Sequence, residues 1–367
     1  MLVPTSYKRA PPYRAIALAA GDSSRGCPMQ TLFDPIELRH LSLKNRLVRS
    51  ATAEGLAGED GTPSEAMLAV YEKLAMGGVA ACITGYTAID PDERGFRGMT
   101  RISDDCLIEG WKPLVATLRA GGCRAIMQLG LETLRVGGRL VTPGDATYTD
   151  LGRVVKLFGE GARRAQAAGF DGVQLHAAHS MWLASFLRAG SNHRTDCYGG
   201  SQANRVRLLV EVLDSVRRAT VGLHVSMKVN GFDRKGGMTM EEALETCLIM
   251  ADEHIDSIEV SGDRSSRAGV VPGRDEAYFL PFARKLKRSS SVPVILVGGN
   301  RSAQAMEDVI NSDDVDMIAM SRPLVREPDL PNRWMRHHMA PSKCPSCNAC
   351  HNTRGRRCLF VMRGMAG

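Results

Sequence analysis

Short apolar runs alternate with longer segments of helical periodicity along the chain from Leu32 onward. This alternation predicts parallel strands joined by crossover helices. The predicted strands are Arg46–Ser50, Val79–Thr84, Arg124–Leu129, Gly172–His176, His224–Val229, Ser257–Ser261, Val294–Gly298 and Asp316–Met320. The predicted helices are Ser64–Met76, Asp104–Ala120, Leu151–Ala168, Gln202–Ala219, Thr239–Asp252, Asp275–Lys287 and Ser302–Asn311.

Eight such units predict an α/β fold, a single-domain (β/α)8 TIM barrel, rather than an open doubly wound sheet. Several predicted helices begin on Ser, Thr or Asp, the residue types that cap helix N-termini. The first strand is not followed by the GxGxxG phosphate fingerprint of dinucleotide-binding folds. We therefore expect the functional side chains directly after the strands, at one end of a barrel.

The two ends of the chain differ in composition from its centre. Residues 1–30 lack regular periodicity and carry four Lys or Arg against one Asp, which is typical of a disordered extension or a leader. Residues 341–367 are basic and rich in cysteine. The barrel is therefore predicted over residues 31–340, between a basic N-terminal extension and a Cys-rich C-terminal tail.

Charge and hydropathy restrict the partners of the protein. The net charge of +7 is concentrated at the two ends, whereas a nucleic-acid enzyme carries a basic face on its fold. No apolar run approaches the roughly twenty residues that cross a bilayer. We expect a small-molecule substrate, and neither nucleic acid nor membrane as a partner. A cytoplasmic location is expected, or a mitochondrial one if residues 1–30 are a transit peptide, and a homo-oligomer is left open.

Two histidines, His176 and His179, follow the apolar run that ends at Leu175 in the fourth predicted strand. If a helix begins there, the three-residue spacing places both rings on one side. Two neutral imidazoles can donate hydrogen bonds to one ligand oxygen and stabilise negative charge that develops on it. A buried core pair and half of a metal site are the alternatives. The position at a strand end favours substrate binding.

Residues that suit an anionic ligand follow three other strands. Lys228, near the end of the fifth strand, requires an anionic partner, which is either a ligand or a buried Asp or Glu. Gly298, Gly299 and Asn300 follow the seventh strand and Arg322 follows the eighth, where barrels bind phosphate. Glycine lets the backbone approach a ligand closely, and guanidinium matches phosphate oxygens. Together these residues predict a phosphate site.

Several motifs occur in a consistent order over about residues 31–360. They are Leu32-Phe33-Asp34-Pro35 with Leu43-Lys44-Asn45-Arg46, then Gln174–His179, then Asn192–Asp196 with Tyr198–Ser201 and Asn204-Arg205, and finally Ser321–Leu324. These motifs resemble the Old Yellow Enzyme family of NAD(P)H:flavin oxidoreductases. The resemblance implies an FMN-binding barrel in which NAD(P)H reduces the flavin. Flavin N5 then passes hydride to an α,β-unsaturated carbonyl, a quinone or a nitro compound.

The resemblance also implies roles for individual residues. The implied flavin contacts are Ser50, Ala51, Thr52, Ala53, Gly85, Gln128, Lys228, Gly298, Gly299, Asn300, Ser321 and Arg322. Among them, Gln128 and Lys228 match contacts with the flavin edge, and Arg322 belongs to the phosphate clamp. His176 and His179 are similar to the pair that binds the substrate carbonyl and the nicotinamide amide.

Three positions depart from the family pattern. Met181 stands where the family usually has a tyrosine that protonates the substrate α-carbon, and a thioether cannot donate a proton. Water or a nearby tyrosine such as Tyr86 would have to serve. Leu131 replaces a histidine after the third strand, and Ala53 replaces a Thr or Cys beside the flavin unless Thr52 takes that role. These departures predict slow alkene reduction and favour, as an alternative, a flavin-binding sensor or scaffold with impaired turnover.

Four cysteines, Cys344, Cys347, Cys350 and Cys358, form a tight C-terminal group. Larger relatives such as 2,4-dienoyl-CoA reductase hold a [4Fe–4S] cluster near this point, but their third and fourth spacings are wider. An unoccupied or purely structural tail is therefore favoured over [4Fe–4S], and zinc is the third alternative. An enoyl- or dienoyl-CoA reductase-like enzyme is the alternative enzymatic function.

Overall fold

The computed structural model describes residues 30–93, 95–233, 237–263 and 266–365, so the predicted N-terminal extension lies outside them except for Gln30. Eight parallel strands form its central sheet. They are β1 (Leu47–Arg49), β2 (Ala81–Ile83), β3 (Arg124–Gly130), β4 (Gly172–Ala177), β5 (His224–Asn230), β6 (Ser257–Ser261), β7 (Val294–Val297) and β8 (Met317–Met320). Each strand pairs with the next in the chain, and β8 pairs with β1. The sheet is therefore closed, and the predicted TIM barrel is confirmed.

Helices follow the strands and surround the barrel. They are α1 (Glu65–Met76), α2 (Ile108–Ala120), α3 (Tyr148–Ala167), α4 (Trp182–Leu187), α5 (Gln202–Ala219), α6 (Met240–Asp252), α7 (Leu280–Ser289), α8 (Ala303–Asn311), α9 (Arg322–Arg326), α10 (Leu330–Met335) and α11 (Leu359–Met362). Seven of them correspond to the predicted helices, although α7 begins five residues later than its predicted start at Asp275. The short helices α4, α9, α10 and α11 were not predicted.

Pairs of short strands complete the fold. An antiparallel hairpin of Ile36–Leu38 and Leu41–Leu43 precedes β1, and a second hairpin of Leu134–Val136 and Arg139–Val141 follows β3. Between β2 and α2, Thr87–Ala88 pairs with both Thr100–Arg101 and the end of β3. This extension of the sheet fixes the loop after β2 against β3.

The inside of the barrel changes from apolar to polar along the strands. Near the strand starts, Val48, Ile126 and Ile295 form an apolar cluster with Leu41 and Leu43 of the first hairpin. Alternate residues of a strand face the same side. Gln128, two residues beyond Ile126 on β3, therefore also faces the inside of the barrel. The same two-residue alternation places polar residues nearer the carboxyl ends of β4, β5 and β6. The hairpin therefore closes the apolar end, and the polar end is left for ligands.

Neither a membrane-spanning helix nor a disulfide occurs in the part of the chain that the structure describes. None of its helices combines the length and the hydropathy that a bilayer crossing requires. All cysteines other than Cys27, which lies outside the described residues, are free thiols.

Candidate active site

A cavity of about 380 Å³ opens at the carboxyl ends of the barrel strands. Most residues that the sequence predicted for the site line it: Ser50, Ala51, Thr52, Ala53, Gln128, His176, His179, Lys228, Ser321 and Arg322. They come from β1, β3, β4, β5 and β8, far apart in sequence. A closed parallel barrel brings these strand ends to one rim.

His176 and His179 face each other in this cavity, with ring centroids 5.0 Å apart and an interplanar angle of 86°. The expectation that a helix aligns the two rings was wrong. His176 still belongs to β4, His179 has a left-handed backbone with φ of 60°, and α4 begins only at Trp182. The N–H of His179 donates to Asn230 Oδ1 at 3.0 Å, which fixes this turn. A tight turn therefore aligns the rings.

Both imidazoles are held in the neutral state. Burial, together with nearby His179 and Lys228, holds the pKa of His176 well below its ordinary value. Burial and the charges of Lys228 and Arg188 lower the pKa of His179 to about 3. The N–H of Ala178 donates to His176 Nδ1 at 3.4 Å, so the proton of this ring lies on Nε2. His176 can thus donate one hydrogen bond to a ligand.

A buried polar network forms the floor of the cavity. Lys228 Nζ donates to Ser50 Oγ and to Glu259 Oε1, both at 3.0 Å. Gln174 Nε2 donates to Glu259 Oε2 at 2.8 Å, and Gln128 Nε2 donates to Gln174 Oε1 at 2.8 Å. The barrel-interior ion pair that the sequence left open for Lys228 is therefore present. Glu259 is fully buried, and Lys228 balances its charge.

The predicted phosphate residues surround a smaller cavity of about 30 Å³ beside the main one. Gly298, Gly299, Asn300, Ser321 and Arg322 line it. Gly298 and Gly299 have φ of 112° and 85°, a conformation that favours glycine. The main cavity shares Val297, Ser321 and Arg322 with the smaller one, so the two are adjacent.

Near this smaller cavity, Arg322 and Glu276 already have hydrogen-bond partners within the protein. Arg322 Nη1 donates to the carbonyl of Arg267 at 2.8 Å and to Asn348 Oδ1 at 2.5 Å. Glu276 accepts from the N–H groups of Arg301 and Ser302, immediately before α8. A carboxylate thus lies at the N-terminus of this helix, where the exposed N–H groups favour an anion.

Gly85 is the predicted flavin contact that lines neither of these two cavities. Its N–H donates to Tyr71 Oη at 3.1 Å, and a Cβ at this position would lie 2.4 Å from the carbonyl oxygen of Thr52. Its small size therefore serves the packing of β2 against the segment after β1.

The C-terminal tail forms one wall of the cavity through Cys350, His351 and Arg356. Arg356 Nε donates to the carbonyl of Ala53 at 3.1 Å, which joins the tail to the segment after β1. Ser346 is fully buried and accepts from Arg301 Nη2 at 2.8 Å. The tail therefore packs on the barrel instead of extending from it.

The cysteines of the tail do not form a metal site in this structure. Among the described residues, no group of three or more His, Cys, Asp or Glu side chains has a geometry that could hold a metal ion. Cys350 lines the cavity, Cys347 is exposed and Cys358 is buried. Burial raises the pKa of the Cys350 thiol, which keeps it protonated at neutral pH.

Sequence analysis missed two groups of residues at the site. Glu259 and Gln174 were overlooked, although a polar residue in the middle of a buried strand is a recognisable signal. The tail residues that line the cavity gave no such signal, because the fold of the tail brings them there. Tyr86 was named from the sequence as an alternative proton donor, but its partner Glu93 was missed.

The sequence of this chain is similar to those of known proteins. The family model of the NADH:flavin oxidoreductase / NADH oxidase family matches residues 31–137 and 137–340. An NADH-dependent flavin oxidoreductase of Neonectria sp. (strain DH2) is 31% identical over 81% of this chain and 46% of its own length. The chain thus spans about half of that relative. An NADPH dehydrogenase of Geobacillus thermodenitrificans is 32% identical over 82% of this chain and 92% of its own length.

A solved structure agrees with the fold. The Old Yellow Enzyme homologue from Zymomonas mobilis superposes with a TM-score of 0.72, and the match covers 86% of this chain and 96% of that one at 22% identity. At this identity the likeness concerns the fold alone. The family match extends over most of the chain and includes every strand of the barrel. This chain therefore belongs to the NADH:flavin oxidoreductase / NADH oxidase family, as its motifs predicted.

Proposed function

We propose that this protein is an FMN-dependent oxidoreductase that passes hydride from NAD(P)H to electron-poor small molecules. Its acceptors would be α,β-unsaturated carbonyls, quinones and nitro compounds. The observation that carries this proposal is the pair of neutral imidazoles, His176 and His179, beside a cavity whose floor holds Lys228 and Gln128.

The shape and polarity of the site fit FMN. The main cavity of about 380 Å³ lies within the size range of small-molecule sites. The smaller cavity adjoins it at Arg322, and this guanidinium suits the anionic end of an elongated ligand. For a phosphate to bind there, the contacts of Arg322 with Arg267 and Asn348 must be exchanged for contacts with phosphate oxygens. When bound, FMN supplies the hydride chemistry that no side chain of this chain has.

The residues of the cavity have separate tasks in this proposal. Lys228, although paired with Glu259, places its ammonium group at the floor, where it would attract negative charge on a reduced ring. Gln128 presents an amide to the same region. His176 donates Nε2–H to the oxygen of an acceptor, and His179 provides the second imidazole. Because a neutral imidazole already carries one N–H, each ring can donate a hydrogen bond to developing negative charge without first being protonated.

An anaerobic experiment tests the proposal. The full-length protein is purified, its cofactor is identified by absorbance and mass, and it is mixed with NADH or NADPH in a stopped-flow instrument. The reduced protein is then mixed with an enone, a quinone, a nitro compound or an enoyl-CoA thioester. We expect reduction by a nicotinamide followed by reoxidation with the small acceptors. A protein that neither contains nor takes up FMN would refute the proposal.

The same experiment separates the two alternatives. A strong preference for the CoA thioester over a simple enone would support the CoA reductase alternative. Rapid reduction without reoxidation by any organic acceptor would support a flavoprotein that has lost turnover.

A further inference from the structure

The cavity wall formed by the ends of β2 and β3 carries a tyrosine–glutamate pair to which the proposed function assigns no role. Tyr86 lines the cavity, and its ring centroid lies 6.4 Å from that of His176. Its hydroxyl donates to Glu93 Oε1 at 2.6 Å. Glu93 is 1% exposed. A phenol therefore stands beside the imidazole that would hold an acceptor oxygen.

The surroundings of Tyr86 hold its hydroxyl in one place. The backbone N–H of Glu132 donates to Tyr86 Oη at 2.8 Å and to Glu93 Oε1 at 2.9 Å. Gly130 makes room for the ring, since a Cβ at this position would lie 2.2 Å from Tyr86 Cε2. This fixed N–H donor also stabilises negative charge on the phenol oxygen.

The three positions that depart from the family pattern surround Tyr86. Ala53 and Met181 pack against the apolar cluster that contains the Tyr86 ring. Leu131 directly precedes Glu132, whose N–H holds the Tyr86 hydroxyl. Two of the residues that depart from the family pattern, Ala53 and Met181, thus provide apolar contacts for the cluster that contains Tyr86.

Glu93 has the properties of a proton reservoir. Its Oε2 is buried and has no hydrogen-bond partner among the described residues. An ionised carboxylate with one oxygen left in this state is unfavourable, whereas a carboxylic acid carries its proton there. Burial accordingly raises the pKa of Glu93. The side chains near it are Tyr86 and Glu132, with Arg101 on its backbone carbonyl.

We propose that Tyr86 donates the proton that completes alkene reduction and that Glu93 returns a proton to Tyr86. This inference rests on the proposed function. As hydride reaches the β-carbon, the enolate electron pair forms a bond to the proton of Tyr86 Oη, and the O–H bond breaks. The Glu93 carboxyl group then turns so that its protonated oxygen faces Tyr86 Oη, the phenolate takes that proton, and a proton from solvent is returned to the carboxylate. No oxidant or reductant beyond the bound nicotinamide and the acceptor is consumed.

Half-reactions of the flavin-loaded protein test the proposal. The change Tyr86→Phe keeps the ring and removes the proton, so reoxidation by an enone should slow at least about 100-fold. Reduction by NAD(P)H and reoxidation by a quinone should change less than about threefold, because protons added to quinone oxygen exchange directly with water. Glu93→Gln should slow enone turnover less than Tyr86→Phe does, since one proton is still present on the phenol. Gly130→Ala keeps the hydroxyl but moves the ring and should impair the same step.

The chain offers a matched control. Tyr198 Oη donates to Glu211 at 3.0 Å in a second tyrosine–glutamate pair outside the cavity lining. Tyr198→Phe should leave enone reoxidation unchanged. If wild-type protein is reoxidised by the enone and Tyr86→Phe is as fast, Tyr86 is not the donor. If wild-type protein reacts with no acceptor at all, the proposed function fails instead.

A second readout does not depend on turnover. Infrared difference spectra of the full-length protein in water and in D₂O should show the carbonyl band of a protonated carboxylic acid that disappears in Glu93→Gln. Persistence of the whole band in this variant would show that Glu93 is ionised and would overturn its role as reservoir.

Discussion

Two adjacent walls of the cavity, the histidine wall (His176 and His179) and the tyrosine wall (Tyr86 and Glu93), contain buried groups whose pKa values are shifted in opposite directions. On the wall from β4, burial lowers the pKa values of His176 and His179, so the imidazoles lose a proton. On the wall from β2 and β3, burial raises the pKa of Glu93, which favours the protonated carboxyl group. The low dielectric of the protein interior therefore disfavours the charged form of a base and of an acid alike.

The difference between the walls lies in the charges beneath them. The histidine wall stands over Lys228, and its cation opposes protonation of both rings. The tyrosine wall faces the carboxyl group of Glu132, whose charge further favours the protonated form of Glu93. Neutral imidazoles suit the binding of an acceptor oxygen, and a neutral hydroxyl backed by an acid suits the transfer of a proton. In the proposed alkene reduction, the histidine wall would bind the acceptor oxygen and the tyrosine wall would supply the proton.

Removing the cation beneath the histidine wall should have the largest effect on stability. Lys228→Met leaves Glu259 buried without its partner and should lower the free energy of unfolding by about 3–5 kcal/mol. Urea denaturation at a fixed FMN concentration measures this loss. The double variant Lys228→Met with Glu259→Gln should recover most of it. Glu93→Gln should cost less than about 1 kcal/mol, because a neutral acid is replaced by a neutral amide. Equal losses in both single variants would contradict the contrast between the walls.

Removing the imidazole that donates a hydrogen bond to the acceptor oxygen should have the next largest effect. His176→Ala should slow reoxidation by an enone and by a quinone alike, by about 100- to 1000-fold, because both acceptors present an oxygen to the pair. Stopped-flow absorbance of the flavin measures both rates. Tyr86→Phe, in contrast, should affect only the enone. If His176→Ala slows one acceptor alone, the imidazoles do not share a general oxygen-binding role.

The pH dependence of stability should differ in sign between the walls, with a smaller effect. His179 has a folded pKa of about 3. The unfolded chain therefore binds more protons as pH falls below about 6.5, and stability decreases by at most about 1.4 kcal/mol per pH unit from this group. Glu93, with a raised folded pKa, stabilises the fold below its unfolded pKa and loses this contribution as pH rises through the folded value.

Unfolding measured between pH 7 and pH 4 for wild-type protein, His179→Asn and Glu93→Gln checks these signs. His179→Asn should weaken the loss of stability at low pH, and Glu93→Gln should steepen it. Parallel curves for all three proteins would show that neither group has the pKa shift described here.

The barrel and the histidine wall were predictable from sequence, whereas in the tyrosine wall only Tyr86 was named and its pairing with Glu93 was not predicted. Strand periodicity located all eight barrel strands, and strand ends in a closed barrel converge wherever the loops go. This was sufficient to bring His176, Lys228 and Gln128 together. The contact of Tyr86 with Glu93 depends on how the loop after β2 returns to β3, a choice made by tertiary packing rather than by a repeating pattern.

The same limit explains the error at His179 and why the tail residues that line the cavity were not predicted. Positive φ at His179 is a local conformation stabilised by Asn230, fifty-one residues away, so no spacing rule reports it. Packing of the tail depends on single long-range contacts, such as Ser346 with Arg301. The [4Fe–4S] and zinc alternatives for its cysteines remain predictions that spectroscopy and metal analysis can test.

The position of the tail also bears on how the site is assembled during synthesis. The segment after β1 is translated about three hundred residues before Arg356, which covers the carbonyl of Ala53. A ribosome-bound chain that has just completed β8 therefore contains all the strand ends but not the cavity wall formed by the tail. Flavin that enters at that stage would meet an open groove, and a truncation at residue 340, where the family match stops, would keep it open.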